Sequence, residues 1–403
     1  MPENAASRAF PRRPRVETGL ERIANGDVEV LANLRGRRLG LVAHPASVDS
    51  RLRHAHVVLE AAGCRVNALF GPEHGYGGEA QMQVAIGAET SRGGLEVHSL
   101  YGKTEAELSP RAEWLRDLDA VVIDLQDVGS RYYTFVWTAV YVLRRAASLG
   151  IEVIVLDRPN PLGGVRVEGG PQRPGYRSFV GLHDVAVRHG MTIGELCGLA
   201  CARDGLDPAS LRVVPMRGYH REFEFRHTGL PWVLPSPNMP SPATARVYPG
   251  GCLLEGTNMS EGRGTTRPFE IWGAPFVDGA ALLARVKTAG ALLRPLHFIP
   301  AFDKFAGQRC GGVQVHMTDP ERFNPYESYL RVIAGARDLF GDAMAWNRDA
   351  YEFVTDRPAI DLLTGGPEFR TLTDAGGAVD DWLREDALAA EQFSRNRREF
   401  LLY

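Results

Sequence analysis

The sequence predicts an α/β fold in which a parallel β-sheet carries helices on both faces, followed by a smaller α+β unit. From residue 37 onward, short apolar runs alternate with segments of helical periodicity, which is the pattern of consecutive βα units. After about residue 280 a pattern of one helix, one strand and two further helices replaces this alternation. With 403 residues the chain is also longer than one compact core usually grows, which favours two domains.

The predicted sheet begins with four short apolar runs that lack polar alternation: 37–46, 65–73, 119–127 and 152–160. Such runs are typical of strands that are buried on both faces. The segments between them have the apolar spacing of helices: 50–63, 104–117 and 133–150. A further helix over 192–205 begins with a capping box, Thr192 to Glu195, and a strand over 211–218 follows it.

The segment 225–275 is dense in Pro, Gly and polar residues and has little periodicity, so it predicts a long loop. Loops of this length inside compact domains are usually functional or disordered, and the aromatic residues of this one argue against disorder. Beyond it, the pattern predicts the elements of the smaller unit: a helix at 281–290, a strand at 311–318, and helices near 325–340 and 378–398.

Composition and charge exclude several classes of protein. The 46 Lys and Arg against 49 Asp and Glu give a net charge of -3, so no global field attracts nucleic acid or membrane. The sequence has no apolar stretch long enough for a signal peptide or a membrane span, which predicts a cytoplasmic protein. The five scattered cysteines predict buried free thiols rather than a metal site, and we expect no metal and no cofactor.

Several catalytic signatures are also missing from the sequence. It has no G-x-S-x-G, no H-E-x-x-H, no C-x-x-C pair, and no G-x-G-x-x-G after the first strand. Their absence argues against a serine hydrolase, a zinc protease and an ordinary dinucleotide-binding enzyme.

Acidic residues end three successive predicted strands: Glu73, then Asp124 with Asp127, then Asp157. A single acid at a strand end is commonly a helix cap or a turn residue. Ligands of open parallel sheets bind outside the carboxyl ends of the strands, where these three sites meet. As a set, the acids therefore predict a polar cleft at this edge.

Glu73 is the strongest candidate for a general acid, because Pro72 and the turn at Gly75 hold it at the strand end. The alternative is a loop carboxylate that binds backbone amides. His74 could orient the carboxyl of Glu73, although an adjacent side chain often points elsewhere.

Two further loops supply candidate binding residues. Arg131, Tyr132 and Tyr133 begin a predicted helix, where backbone amides and a guanidinium attract anions. Alternatively, or at the same time, Arg131 could pair with Asp124 or Asp127. The long loop combines amides, charges and aromatic rings, a mixture suited to sugars but not specific for them: Asn238, Glu255, Asn258, Glu261, Arg263, Arg267, Phe269 and Trp272.

Eight blocks of the sequence resemble, in order, the motif blocks of the NamZ-type exo-β-N-acetylmuramidases, glycoside hydrolase family 171. They are FGPEHGYGGEA, SLYGKT, DLQDVGSRYYT, DRPNPLGG, VRHGMTIGEL, SPNMPSP, EGTNMSEGRGTTRPFE and YEFVTDRPAIDLLTG. The resemblance covers the chain from about residue 20 to its end. It implies a Rossmann-like parallel sheet with helices on both faces plus a smaller C-terminal α+β domain, with the active site in the cleft between them. We therefore place an N-terminal arm at 1–19, the Rossmann-like catalytic domain at 20–280 and the C-terminal domain at 281–403.

The activity implied by the resemblance is release of non-reducing terminal N-acetylmuramic acid from small peptidoglycan fragments, during cell-wall turnover or recycling. The resemblance places the catalytic glutamate of the family at Glu73. The same blocks place further side chains in the cleft: His74, Asp127, Arg131, Tyr132, Asn160, Asn238, Glu261 and Arg263. One departure lies at the first strand end, where His44 stands in a position at which relatives more often carry a Thr-Asn pair.

The mechanism stays open at this point. Glycosidases usually need two carboxyl groups, so Asp127, Glu261 or Glu79 could assist Glu73, or the 2-acetamido group of the substrate could attack instead. The lactyl carboxylate of muramic acid needs a cation, and the candidates are the three arginines of the predicted cleft loops, Arg131, Arg263 and Arg267.

Two other functions compete with this one. The same scaffold would suit a non-catalytic protein that binds a sugar or a nucleotide, in which the strand-end acids only accept hydrogen bonds. It would also suit a β-N-acetylglucosaminidase.

Overall fold

The computed structural model of the protein describes residues 16–81, 89–90 and 94–403, so most of the predicted N-terminal arm lies outside the described residues. Its strands are β1 Arg38–Ala43, β2 Arg65–Gly71, β3 Glu89–Thr90, β4 Glu96–Ser99, β5 Ala120–Asp124, β6 Glu152–Leu156, β7 Leu211–Val214, β8 Ile271–Ala274, β9 Ala291–Phe298 and β10 Cys310–Met317. Its α-helices are α1 Gly19–Ala24, α2 Val28–Ala32, α3 Ala55–Ala61, α4 Ala112–Leu115, α5 Phe135–Ser148, α6 Ile193–Arg203, α7 Phe225–Thr228, α8 Pro242–Gly251, α9 Gly279–Arg285, α10 Pro325–Phe340, α11 Ala359–Thr364, α12 Glu368–Asp374 and α13 Asp380–Asn396.

The large sheet has seven strands in the order β3-β4-β2-β1-β5-β6-β7. Its neighbours pair in parallel, except that the short β3 is antiparallel to β4. The central strands β5 and β6 are buried along nearly their whole length, which explains their continuous apolar sequences. The predicted parallel sheet is thus confirmed: β1, β2, β5, β6 and β7 lie at the five expected runs, whereas β3 and β4 at its edge were not predicted.

Helices cover both faces of the large sheet, as predicted. On one face, Val121 and Ile123 of β5 belong to a core cluster that also contains the apolar residues of α5 and α6. On the other face, Val122 packs in a second cluster with residues of α1 and α3, such as Leu20 and Leu59. The alternation of neighbouring side chains between the two clusters follows from the two-residue period of a strand.

The small sheet is antiparallel, in the order β8-β10-β9, and α10 packs beside it against α8. Residues of both sheets, including Trp137 of α5 and Trp272 of β8, belong to one continuous apolar cluster. This shared core fixes the two parts of the chain against each other. The predicted α+β character of the C-terminal part is confirmed.

Two predictions for individual segments were wrong. The helix expected over 104–117 is one 3₁₀ turn, Glu105–Leu108, followed by the single turn of α4, because Pro110 cannot donate the hydrogen bond that would join them. The long loop expected over 225–275 contains α7, α8 and β8.

The sequence of helix α8 explains why it was not predicted. Ser241 caps its first turn by accepting a hydrogen bond from the backbone of Thr244, and Pro242 occupies the first helical position. Its last turn is Pro249-Gly250-Gly251, which carries no helical signal. A Cβ at Gly250 would collide with the carbonyl oxygen of Pro325, so glycine is what lets α8 approach the backbone of α10.

Two further expectations concern the whole chain. Among the described residues, no helix combines the length and the apolar character needed to cross a bilayer. All five cysteines are buried and free of disulfide bonds, which confirms the predicted free thiols.

Candidate active site

A pocket lies where the carboxyl end of β2 and the start of α5 meet loops from the C-terminal half of the chain. Residues of the large-sheet side line it together with residues from 236–269 and from the 351–352 turn. The polar lining residues are Glu73, His74, Tyr132, Tyr133, Thr134, Ser236, Asn238, Tyr248, Glu255, Arg263, Tyr351 and Glu352. Seven of these polar residues were candidates from the sequence and are brought together here: Glu73, His74, Tyr132, Tyr133, Asn238, Glu255 and Arg263.

A tight turn after β2 places Glu73 in the pocket. The amide of Gly75 donates to the carbonyl of Pro72 at 2.9 Å, and His74 and Gly75 both have positive φ, 70° and 85°. For a residue such as His74 this backbone conformation costs about 1–3 kcal/mol and persists only where its surroundings enforce it. The imidazole Nδ1 of His74 lies 2.8 Å from the carbonyl oxygen of Ala80, which anchors the turn to the following loop.

The carboxyl group of Glu73 is almost fully buried, at 4% exposure, and one of its oxygens is held in place. The hydroxyl of Thr134 donates to Oε2 of Glu73 at 2.7 Å. Thr134 is the N-cap residue of α5, yet its side chain makes no capping bond to that helix. Its hydroxyl serves Glu73 instead, which fixes the orientation of the carboxyl group in the pocket.

A buried network of charges forms another part of the wall. Arg263 donates from Nη2 to Glu255 at 2.7 Å and from Nε to Glu261 at 2.9 Å, and Lys304 donates to Glu261 at 3.1 Å. Burial raises the pKa of Glu255. Burial also acts to raise the pKa of Glu261, but the charges of Lys304 and Arg263 outweigh it and lower that pKa. Glu261 is therefore a carboxylate locked between two cations.

Glu352 enters the pocket from a strained turn. The backbones of Tyr351 and Val354 exchange hydrogen bonds of 2.9 and 3.0 Å, and the two residues between them, Glu352 and Phe353, have φ of 45° and 69°. Two-residue turns with positive φ at both positions favour Asn-Gly, whereas Glu and Phe each cost about 1–3 kcal/mol there. The hydroxyl of Tyr101 donates to Oε2 of Glu352 at 3.2 Å.

Tyr132 contributes a buried hydroxyl group to the lining. Burial raises the pKa of this phenol well above its usual value, so it remains a protonated donor. The hydroxyl has no hydrogen-bond partner among the described residues. Tyr132 is thus an unused hydrogen-bond donor buried at the pocket wall, and its role in binding stays a prediction.

Arg131 lies outside the pocket lining. Its side chain is fully buried, and its guanidinium donates to the backbone carbonyl oxygens of Gly170 at 3.1 Å, Val185 at 3.1 Å and Leu363 at 2.5 Å. The alternative that it pairs with a strand-end acid does not hold either, because Asp124 receives both of its ion-pair bonds from Arg158. These contacts give Arg131 a role in joining loops of the fold.

The other predicted residues are also placed away from the lining. Asp127 accepts from the amide of Gly129 at 2.8 Å, and Asn160 bonds backbone atoms of Leu162 and Met191. Glu79 is exposed at the surface, and Arg267, with a 54% exposed side chain, pairs with Glu270. Glu261 is not among the lining residues, but it accepts a hydrogen bond from Arg263, which is.

His44 lies beneath the site as a fully buried neutral imidazole. Its Nε2 accepts from the amide of Gln126 at 2.9 Å, which leaves the proton on Nδ1, 3.1 Å from the carbonyl oxygen of Pro235. Complete burial, reinforced by the charge of Arg158, lowers the pKa of His44 to about 3.

This low pKa predicts acid sensitivity of the fold. Between pH about 6.5 and 3 the unfolded chain binds a proton at His44 that the folded chain does not, so stability falls as pH falls through this window, by up to about 1.4 kcal/mol per pH unit. Denaturant unfolding at pH 7, 5 and 4 should show a weaker decline for His44→Gln than for the wild type. The exposed His220→Gln is the control, and parallel curves for His44→Gln and the wild type would contradict the assignment.

Sequence reasoning did not assign five polar residues of the lining: Thr134, Ser236, Tyr248, Tyr351 and Glu352. Thr134 stands beside the predicted Arg131-Tyr132 pair, so its position at a helix start was available as a signal. Tyr351 and Glu352 belong to a quoted motif block, but nothing in their spacing connects them with a strand end nearly 280 residues earlier.

Comparison with known proteins agrees with this architecture over nearly the whole chain. Two family models match, the exo-β-N-acetylmuramidase NamZ N-terminal domain over residues 39–243 and its C-terminal domain over residues 246–403. The peptidoglycan β-N-acetylmuramidase NamZ of Bacillus subtilis (strain 168) is 39% identical over 397 residues, which covers 97% of this chain and 92% of that protein.

Two crystal structures of DUF1343 family proteins from Bacteroides fragilis share the fold. One is 32% identical with a TM-score of 0.84, covering 98% of this chain and all of that chain. The other is 28% identical with a TM-score of 0.74, covering 96% and 99%. By the match of both family models and by its identity to the Bacillus relative, the chain belongs to the NamZ family of exo-β-N-acetylmuramidases and is a glycoside hydrolase.

Proposed function

We propose that this protein releases N-acetylmuramic acid from the non-reducing end of small peptidoglycan fragments, and that Glu73 is the general acid. The observation that carries the proposal is the buried carboxyl of Glu73, held by the hydroxyl of Thr134 in a pocket lined by further carboxyl groups and an arginine. Glycosidases use such a set of groups around the bond they cleave.

The chemistry assigned to Glu73 is proton donation to the glycosidic oxygen. As the bond between C1 and that oxygen breaks, the oxygen gains negative charge, and the proton from Glu73 lets the second sugar leave as a neutral alcohol. The remaining positive charge at C1 is spread over the sugar ring, where carboxylates of the pocket stabilise it.

Arg263 is the cation proposed to bind the lactyl carboxylate. Of the three candidate arginines, Arg263 lines the pocket. The guanidinium of Arg131 donates to backbone carbonyl oxygens instead, and Arg267 pairs with Glu270 with a largely exposed side chain. Lys304 adds a second positive charge to the same network, which offsets the carboxylates of Glu255 and Glu261. A charge-assisted contact of this kind contributes about 1.5–3 kcal/mol.

Arg263→Gln is therefore expected to lower selectivity for muramic acid. The ratio of kcat/KM for 4-nitrophenyl N-acetylmuraminide over the matching N-acetylglucosaminide should fall by about ten- to a hundredfold, which corresponds to the lost contact. Because both rates come from one sample, the ratio does not depend on how much of the enzyme is folded. Arg267→Gln should leave it unchanged, and an unchanged ratio in Arg263→Gln would remove the lactyl-binding role.

The exo-acting mode is tested with a linear glycan of alternating sugars that carries a label at its reducing end. The wild-type enzyme should release a single N-acetylmuramic acid from a non-reducing muramyl end and leave the labelled remainder intact. Labelled fragments that shorten by cuts within the chain would contradict the exo-acting assignment.

We place this activity in cell-wall turnover or recycling, in the cytoplasm. The five free, buried cysteines support a reducing compartment, since paired cysteines are the rule in oxidising ones. The proposed substrate is a small saccharide with one carboxylate, so the protein needs no basic surface to attract it. The near-neutral net charge of -3 agrees with this.

A further inference from the structure

The buried charge network separates the pocket from a second cavity, which we call the outer groove. Arg263 lines the pocket, whereas Glu261 and Lys304 line the outer groove, and Glu255 and Tyr351 line both. The hydroxyl of Tyr351 donates to Oε2 of Glu255 at 2.7 Å, which closes the wall between the two cavities. Lys304 therefore stands on the side of this wall that faces the outer groove.

The ammonium group of Lys304 is fully engaged within the protein. It donates to Oε2 of Glu261 at 3.1 Å and to the backbone carbonyl oxygens of Leu254 at 3.2 Å and Met259 at 3.1 Å. An ammonium has three N–H donors, so these three acceptors use all of them. Any effect of Lys304 on a sugar in the pocket must then pass through Glu261.

A strained loop between β9 and β10 holds Lys304 in this position. The residues on either side of it, Asp303 and Phe305, have φ of 69° and 59°. Each such conformation costs about 1–3 kcal/mol and persists only where the surroundings enforce it. The amide of Ala301 donates to the carbonyl oxygen of Gly264 at 2.9 Å, which fastens the loop to the segment that carries the arginine of the network.

The charges of the network show what this ammonium contributes. Glu255 and Glu261 both accept hydrogen bonds from the single guanidinium of Arg263. Each carboxylate beside Arg263 weakens its attraction for an anion, because like charges repel and the site is buried. Lys304 bonds the second oxygen of Glu261 and offsets that carboxylate with a positive charge of its own.

We propose that Lys304 is a positioning residue that sets the specificity for muramic acid, an inference that rests on the proposed function with Arg263 as the lactyl-binding cation. By holding Glu261 and offsetting its charge, Lys304 preserves both the orientation of Arg263 and its attraction for the lactyl carboxylate. N-acetylglucosamine has no such carboxylate, so its hydrolysis does not depend on this balance.

Lys304→Met tests the inference, because methionine keeps much of the side-chain length and removes the charge. The ratio of kcat/KM for 4-nitrophenyl N-acetylmuraminide over the matching N-acetylglucosaminide should fall about tenfold, the effect of one unit charge roughly 10 Å away at an effective dielectric constant of about 20. The loss should appear in KM for the muraminide, since the lactyl group is bound alike before and during the reaction. Both constants for the glucosaminide should stay close to the wild-type values.

A second substitution at Glu261 separates charge balance from a merely structural role. The double variant Lys304→Met with Glu261→Gln loses one positive and one negative charge, and the glutamine oxygen can still accept from Arg263. Its ratio should recover at least about threefold over that of Lys304→Met, as expected for two directly coupled sites. Glu261→Gln alone should raise the ratio above the wild-type value, which keeps the test decisive if Lys304→Met does not fold.

Arg309→Met is the matched control, because it removes an exposed positive charge from the same loop and should keep the wild-type ratio. An unchanged ratio in Lys304→Met, or equal losses on both substrates, would overturn the inference. So would a double variant as unselective as Lys304→Met, or a ratio that Glu261→Gln alone does not raise. A wild-type enzyme without preference for the muraminide would instead refute the proposed function, so the two failures are distinguishable.

Discussion

Glu73→Gln is expected to lower kcat/KM by about 10²–10⁴-fold on a disaccharide of N-acetylmuramic acid and N-acetylglucosamine. Glutamine keeps the size and burial of Glu73 and can still accept from Thr134, but its amide is too weak an acid to transfer a proton. The sugar oxygen then leaves as a poor, unprotonated leaving group. The rate is measured as free N-acetylmuramic acid released by the purified variant.

The leaving group distinguishes a general acid from other roles of Glu73. 4-Nitrophenolate leaves readily without a proton, so Glu73→Gln should lose much less activity on 4-nitrophenyl N-acetylmuraminide than on the disaccharide. Glu391→Gln, an exposed change on α13, serves as the control and should match the wild type on both substrates. A folded Glu73→Gln that cleaves the disaccharide at the wild-type rate would show that the general acid is another group.

Arg131→Met is expected to destabilise the fold by about 3 kcal/mol or more, because three buried carbonyl oxygens lose their donor at about 1–3 kcal/mol each. Methionine fills part of the volume of the arginine but donates no hydrogen bonds. The carbonyl oxygens of Gly170, Val185 and Leu363 would then lose their buried donor. Because Leu363 lies in α11, the loss would also loosen the contact between the N-terminal and C-terminal parts.

Denaturant unfolding of Arg131→Met measures this effect, with Arg267→Met as its matched control. Arg267 pairs with Glu270 with a largely exposed side chain, and such pairs contribute less than about 1 kcal/mol. If Arg131 instead bound the substrate, its variant would unfold like the wild type and show only a raised KM. Equal stability of the two variants would therefore contradict the role in the fold.

The main sheet was predictable because its signal is local and strong. Runs such as the one that became β5 are apolar at every position, and burial on both faces of a parallel sheet is what selects such runs. The capping box at Thr192 likewise marked the start of α6. Helix α8 was missed because Pro249 and two glycines carry no helical periodicity, and close packing on α10 is what makes that segment helical.

Residues of the site could be predicted only where they directly follow a strand of the predicted sheet. Glu73 ends a predicted strand, and that end of the strand lies at the pocket. Asp124 and Asp157 carry the same signal, yet they bond Arg158 and the start of α6, and no local pattern separates these cases. Glu352 could not be assigned, since its position depends on a turn from a remote part of the chain.

The central claim is that this enzyme acts on muramic acid, and one assay tests it most directly. A purified sample of the wild-type protein is given 4-nitrophenyl N-acetylmuraminide and 4-nitrophenyl N-acetylglucosaminide in parallel, and kcat/KM is measured for each. We expect turnover of the muraminide with at least about a tenfold preference over the glucosaminide, as one charge-assisted contact to the lactyl group requires. Preference for the glucosaminide, or binding of either sugar without turnover, would contradict the account.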